Sequence, residues 1–230
     1  MRLFQSTQNA RPQLYGRSKI RRLRPAQVAL IENLYPRISV DPKHFQVPET
    51  FQSVSFEIGF GGGEHLIWQA RNTPARLHIG AEPFMNGIAR VLMGVDEHEL
   101  ENVRLYCGDG RDILQGLPEE SLDIFYLLFP DPWPKSRHHK RRIVTPEFLN
   151  DVYRVLKPDG IFRFSSDIAD YVDWVLTCIH RHGGFDWRPD SFRRWRECDP
   201  DWPGTRYESK AVKAGRPRHY FEFKVKKQAP

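Results

Sequence analysis

Between residues 53 and 182 short apolar segments and amphipathic segments take turns, and this alternation constrains the fold more than any other feature. Residues 54–58 read as a strand, 64–72 as a helix with Leu66, Ile67 and Ala70 inward, and 76–81 as a second strand. A helix over 84–94 and a strand over 103–107 follow. Residues 122–129 form a nearly unbroken apolar run, as expected of a central strand covered on both faces. Thr145 stands where it can cap a helix over 146–156 that has Pro146 at its first position. Residues 157–160 read as a turn, 161–165 as a strand and 168–182 as a helix. Repeated β-α-β units close into a parallel sheet with helices on both faces, so the expected class is α/β.

Outside that stretch the rhythm is lost. Residues 1–24 show no apolar periodicity and read as a flexible basic arm, leaving 25–230 as a single domain. A short helix over 26–34 begins with Pro25 in its first turn and is ended by Pro36. Residues 36–50, with their prolines, read as irregular connection. Residues 186–208, rich in Trp, Arg, Asp and Pro, read as a long functional loop. Residues 219–226 alternate aromatic and polar side chains and read as a late strand, the candidate for an antiparallel one.

Charge narrows the partners. The 230 residues carry a net charge of +6, which favours polyanions. The positive residues cluster: 1–31 hold Arg and Lys without a single acid, 135–142 read Lys-Ser-Arg-His-His-Lys-Arg-Arg, and the stretch from 205 is basic again. Cys107, Cys178 and Cys198 stand far apart with no zinc spacing, which fits a reducing cytoplasm and no metal. No apolar run has membrane-span length, and residues 1–24 lack the apolar core of a secretory signal. Their acid-free, Arg-rich character suits an organellar transit peptide or an RNA-contacting arm, and both remain open.

Glu57-Ile58-Gly59-Phe60-Gly61-Gly62-Gly63-Glu64 lies between a strand and a helix, where glycines let a ligand approach the backbone. A dinucleotide fingerprint needs glycine at the position of Glu64 and a pyrophosphate at the helix start, where Glu57 and Glu64 would oppose it. Carboxylates instead complement S-adenosylmethionine, which carries a sulfonium and an ammonium. Glu82 ends the second strand, where an acid can accept both ribose hydroxyls, and Asp109 follows the third strand, placed to face an adenine. All lie at the carboxyl edge, where open α/β sheets bind ligands.

The most specific segment is Phe129-Pro130-Asp131-Pro132-Trp133-Pro134-Lys135, directly after the central strand. Its prolines fix the backbone and hold Asp131 on a stiff, non-helical loop above the ligand edge. Trp133 can stack on a base or serve as packing. Loops of this kind resemble those of amino-directed base methyltransferases. Guanine N7 is the simpler acceptor, because it offers a lone pair with no proton to remove.

Together with Phe56-Glu57-Ile58-Gly59-Phe60-Gly61, Arg137-His138, Lys140-Arg141-Arg142 and Gly204-Thr205-Arg206-Tyr207-Glu208, this segment resembles the bacterial tRNA (guanine-N7)-methyltransferases over residues 53–225. The resemblance implies a class I, Rossmann-like methyltransferase fold with a mostly parallel seven-stranded sheet and one antiparallel strand. It implies methyl transfer from S-adenosylmethionine, leaving S-adenosylhomocysteine, to a guanosine of the tRNA variable loop. By motif position it implies donor binding by Glu57, Gly59, Gly61, Glu82, Asp109 and Asp131, with Asp131 also catalytic. Lys135, Asp167, Thr205, Arg206, Tyr207 and Glu208 would contact the RNA substrate, and Arg137, His138, Lys140, Arg141 and Arg142 its backbone. The pattern departs after Glu208, where Ser209-Lys210-Ala211 and Gly215-Arg216-Pro217 follow. No membrane and no obligate protein partner are expected, and the chain is a monomer or a homodimer. The alternatives are an amino-directed nucleic-acid base methyltransferase, a nicotinamide oxidoreductase, and a non-catalytic RNA-binding protein on the same scaffold.

Overall fold

The computed structural model describes residues 22–187, 195–198 and 202–227, so nearly all of the proposed N-terminal arm and part of the proposed functional loop lie outside it. Helix α1 (Pro25–Asn33) and the short α2 (Tyr35–Ile38) precede an alternating series. That series is β1 (Ser53–Ile58), α3 (Glu64–Asn72), β2 (Arg76–Ala81), α4 (Met85–Glu97), β3 (Val103–Tyr106), α5 (Gly110–Gly116) and β4 (Leu122–Leu128). A 3-10 turn (Ser136–Arg141), α6 (Pro146–Val155), β5 (Leu156–Ser166), α7 (Ala169–His182), β6 (Phe185–Asp186), α8 (Arg206–Lys213) and β7 (His219–Val225) complete it. The strands form one sheet in the order β3-β2-β1-β4-β5-β7-β6, with β7 antiparallel to both neighbours and the other six sharing one direction. This is the architecture that the resemblance implied.

Burial explains the elements. On β1, Val54, Phe56 and Ile58 enter a core completed by α5, α6 and α7. The alternate residues Ser55 and Glu57 face the other way and are just as buried. They are tolerated because each has a partner: Ser55 Oγ lies 2.8 Å from His78 Nδ1, and Glu57 2.7 Å from His65 Nδ1. A second core joins α3, α4 and β3 with the residues of α1 and α2. A third, smaller one gathers Tyr126, Leu128 and Phe129 under Trp202 and Tyr220.

Several expectations need correction. Helix α1 stops at Asn33, ahead of Pro36 as expected, but Pro36 also sits in the first turn of a further short helix, α2, where a missing N–H costs nothing. Part of the stretch expected to be irregular docks on the sheet, because Val40 N–H donates to the Leu105 carbonyl at 3.0 Å. Helix α5 was not expected; Asp109 caps it by accepting from Arg111 N–H. The turn over 157–160 is absorbed into β5, opposite a register shift at Leu122 and Ile124. Within 186–208 the structure places the last residue of β6 and the start of α8. On α3 the inward residues include His65 and Gln69, whereas Ile67 is only half-buried.

Gly63 precedes α3 with φ +81°, and a Cβ there would meet Val91 Cγ2 at 2.1 Å. Gly63→Ala should destabilise the protein by about 2–4 kcal/mol, combining left-handed strain with overpacking, as read by denaturant unfolding. His78 supplies a second test. Burial pushes its pKa from 6.5 to about 4, so the folded chain resists a proton that the unfolded chain accepts. Stability present above pH 6.5 should therefore be lost as pH falls toward 4, by up to about 3 kcal/mol, and His78→Asn should flatten that slope.

Candidate functional site

The parallel strands deliver their carboxyl ends in register. Ile58 pairs with Ala81 on one side and Leu127 on the other, and Ala81 pairs with Tyr106. The backbone extends the alignment past the strand ends: Gly59 N–H donates to the Ala81 carbonyl at 2.8 Å, and Glu82 N–H to that of Tyr106 at 3.0 Å. Glu57, Glu82, Asp109 and Asp131 thus belong to four neighbouring strands or the loops that leave them, at one edge. The charges of Glu57, Glu82 and Asp131 are close enough to interact. The Glu82 carboxyl is pushed up, first by burial, against the pull of its hydrogen bonds from Gly61 and Phe84, and Asp131 and Glu57 add to the rise.

Each acid is held differently. Glu82 is buried; Oε2 accepts from Gly61 N–H at 2.9 Å and Oε1 from Phe84 N–H at 3.2 Å. A carboxylate has about four lone-pair sites, so each oxygen can still accept a ligand hydroxyl. Glu57 is engaged by His65, a contact that the motif did not foretell. Asp109 is closed on one side by Arg111, whose Nε lies 2.9 Å from Oδ2. Asp131 is exposed on its proline-flanked loop. Gly59 and Gly61 both adopt left-handed φ angles, +74° and +59°. A Cβ at Gly59 would meet nothing within 4 Å, which leaves open space beside the loop.

This chemistry fits a cationic nucleoside. Carboxylates crowd the edge, Glu82 has spare acceptor capacity, and the glycine loop leaves open space at Gly59. A cavity of about 520 Å³ lies over β5 and β7, lined by Trp187, Trp195, Trp202 and Arg163 among others, and none of the four acids lines it.

The residues expected to meet RNA divide into outward and inward sets. Lys135, Arg137 and Lys140 are exposed. Arg141 places its guanidinium 4.9 Å over the Trp133 ring, and His138 meets that ring edge-on at 6.0 Å, so Trp133 is packed by the basic run itself. The His138 pKa is lowered by desolvation and then by Arg141, Arg137 and nearby lysines, which records a positive local field. Arg206 and Tyr207 project outward, whereas Thr205 and Glu208 are buried in a capping box at the start of α8. Glu208 accepts from Thr205 N–H at 2.6 Å, from the Trp202 indole at 2.8 Å and from the Tyr220 hydroxyl. It organises the segment from inside and has no exposed face for RNA. Asp167 pairs with Arg216 at 2.7 Å, beside a hollow of about 400 Å³ lined by Arg196, Arg216, Arg218 and His219.

Arg142 departs furthest from expectation. Its side chain is 2% exposed, pairs with Asp170, and lies 4.9 Å over the Tyr171 ring. Its Nε donates to the Pro132 carbonyl at 3.0 Å. Arg142 therefore ties the Asp131 loop to α7 and offers nothing to a phosphate. Sequence reasoning grouped it with its basic neighbours because type and spacing do not reveal burial. Arg142→Met should preserve the sheet but loosen the loop, read as faster amide exchange at residues 131 and 133 than in the unaltered protein.

Comparison with known proteins extends this description. The sequence model of the family Methyltransf_4, described as "Putative methyltransferase", matches residues 52–221. The tRNA (guanine-N(7)-)-methyltransferase of Agrobacterium fabrum is 47% identical over 216 residues, covering 91% of this chain and 93% of that protein. Those of Ruegeria sp. and Brucella melitensis are 43% and 44% identical, each over 91% of this chain and over 86% and 93% of theirs. Among solved structures, the 16S rRNA methyltransferase KamB superposes with a TM-score of 0.57 at 14% identity, covering 76% of this chain and 89% of its own. A second, an antibiotic-related methyltransferase, gives 0.52 at 17% identity, over 80% of this chain and 96% of its own. The fold is that of the class I methyltransferases, and full-length similarity at such identity places the chain in the tRNA (guanine-N7)-methyltransferase family.

Proposed function

We propose that this protein transfers a methyl group from S-adenosylmethionine to N7 of a guanosine in the tRNA variable loop. The observation that carries the reading is the gathering of Glu57, Glu82 and Asp131 at one sheet edge beside the open space at Gly59, close enough for their charges to act on one another. The donor would lie along Gly59 and Gly61, with its ribose on Glu82, its cationic groups facing Glu57 and Asp131, and its base toward Asp109. When bound it supplies an electrophilic methyl group on a positively charged sulfur.

The chain's own residues have a modest chemical task. Guanine N7 already holds a lone pair, so no base is required to expose it. Positive charge develops on the guanine ring as N7 is alkylated. Asp131, held by Pro130 and Pro132 and by the Arg142 bond to the Pro132 carbonyl, is suited to stabilise that charge. Rigidity matters because in-line alignment, rather than proton transfer, limits such a step. Lys135, Arg137, Lys140 and Arg206 are exposed cations for the RNA backbone, and Arg216 and Arg218 line a basic hollow suited to the same role. In A-form helices the major groove hides N7, so the acceptor should be an unpaired or displaced guanosine.

Unmodified tRNA incubated with enzyme and labelled donor should yield N7-methylguanosine on nucleoside analysis. A folded enzyme that methylates an exocyclic amine instead, or nothing, contradicts the proposal. Asp131→Ala should keep the fold yet lose about a hundredfold in turnover. Glu82→Gln removes one acceptor of the fork and should weaken donor binding roughly tenfold or more, as measured by calorimetry.

A further inference from the structure

His65 is a buried imidazole that sequence reasoning did not single out. It is 2% exposed and stands in the first turn of α3, behind the glycine loop. Its Nδ1 lies 2.7 Å from Glu57 Oε2, and its Nε2 3.2 Å from Gln69 Nε2. A neutral ring with its proton on Nδ1 satisfies both: it donates to the carboxylate and accepts from the Gln69 amide. One face of the ring is covered by Trp202, with centroids 4.5 Å apart and planes tilted by 31°. The Trp202 indole N–H then donates to Glu208 at 2.8 Å. That carboxylate holds the Thr205 amide and so fixes where α8 begins.

A continuous series of contacts therefore runs from the Glu57 carboxylate, through His65 and Trp202, to the base of the segment that presents Arg206 and Tyr207. The same two regions meet a second time. Tyr207 lies over Gly61, its Cε2 3.1 Å from where a Cβ would stand. Segment 202–208 thus touches this region at two points, Trp202 against His65 and Tyr207 against Gly61.

We propose that His65 and Trp202 are positioning residues that couple the donor site to the tRNA-binding segment, so that each ligand strengthens the binding of the other. The proposal rests on Glu57 being a donor ligand. A ligand that fixes the Glu57 carboxylate fixes the imidazole hydrogen-bonded to it, and the ordered imidazole holds Trp202 and Glu208 in place. tRNA then meets a segment already ordered, and by linkage the benefit is equal in the opposite direction. Ring stacking combined with a hydrogen bond to a charged group is strong enough to carry a coupling of about tenfold.

The test uses the full chain, unmodified tRNA, and S-adenosylhomocysteine as a donor-site probe that cannot turn over. In the wild type, saturating tRNA should lower the probe's Kd about tenfold, and the probe should lower the tRNA Kd by the same factor. Trp202→Leu should bring both ratios to within twofold of unity while leaving probe affinity without tRNA unchanged. Trp202→Phe keeps the stack but loses the indole N–H, and should retain an intermediate ratio. If Trp202→Leu does not fold, the wild-type and Trp202→Phe ratios decide. Methylation with independent binding of the two ligands in the wild type overturns the coupling alone, as does full coupling in Trp202→Leu or Trp202→Phe. Failure of the probe to bind at all removes the donor-site assignment and the coupling with it.

Discussion

Like charge crowded at the carboxyl ends of neighbouring strands is the constraint around which this molecule is organised. Carboxylates gathered in a partly buried edge repel one another and resist desolvation. The chain answers with a specific donor for three of the four: His65 for Glu57, backbone N–H groups for Glu82, and Arg111 for Asp109. Glu208 follows the same rule a short distance away, with three donors on one buried carboxylate. Hydrogen bonds to charged groups are worth roughly 1.5–3 kcal/mol each, which offsets part of the cost of burying such acids.

The parallel half of the sheet was legible because its signals are local. Strands β1, β2 and β4 are apolar runs bounded by turn residues, and α6 announces itself by Thr145 and Pro146. The acids at the strand ends followed from the rule that open α/β sheets bind at that edge. Helix α5 escaped because it is short and opens on glycine, and β6 because two residues carry no periodicity. His65 could not be identified as a site residue from sequence, since a histidine beside Leu66 looks like any helical neighbour until the fold brings Glu57 and Trp202 against it.

The basic run shows where composition misleads. Lys135 to Arg142 reads as one positive patch, yet the 3-10 turn points successive residues in different directions. Some face outward, Arg141 and His138 pack on Trp133, and Arg142 turns inward to brace the proline loop. The same distinction splits Thr205 to Glu208, where the capping box draws the first and last members inside and leaves the middle two at the surface. A motif therefore records two kinds of requirement at once, contact with a ligand and support of the backbone that makes the contact.

The reversed direction of β7 has a consequence for how the protein is made. Strand β5, with Phe162 and Phe164 fully buried, is flanked by β4 on one side and by β7 on the other. On a ribosome β4 is available almost immediately, whereas β7 emerges only after some fifty further residues. Until then a nascent chain exposes an unpaired, aromatic-rich strand edge, the kind of surface that invites aggregation. Closure of that edge is thus a late event, so a product truncated before β7 is adhesive, a natural target for cellular quality control.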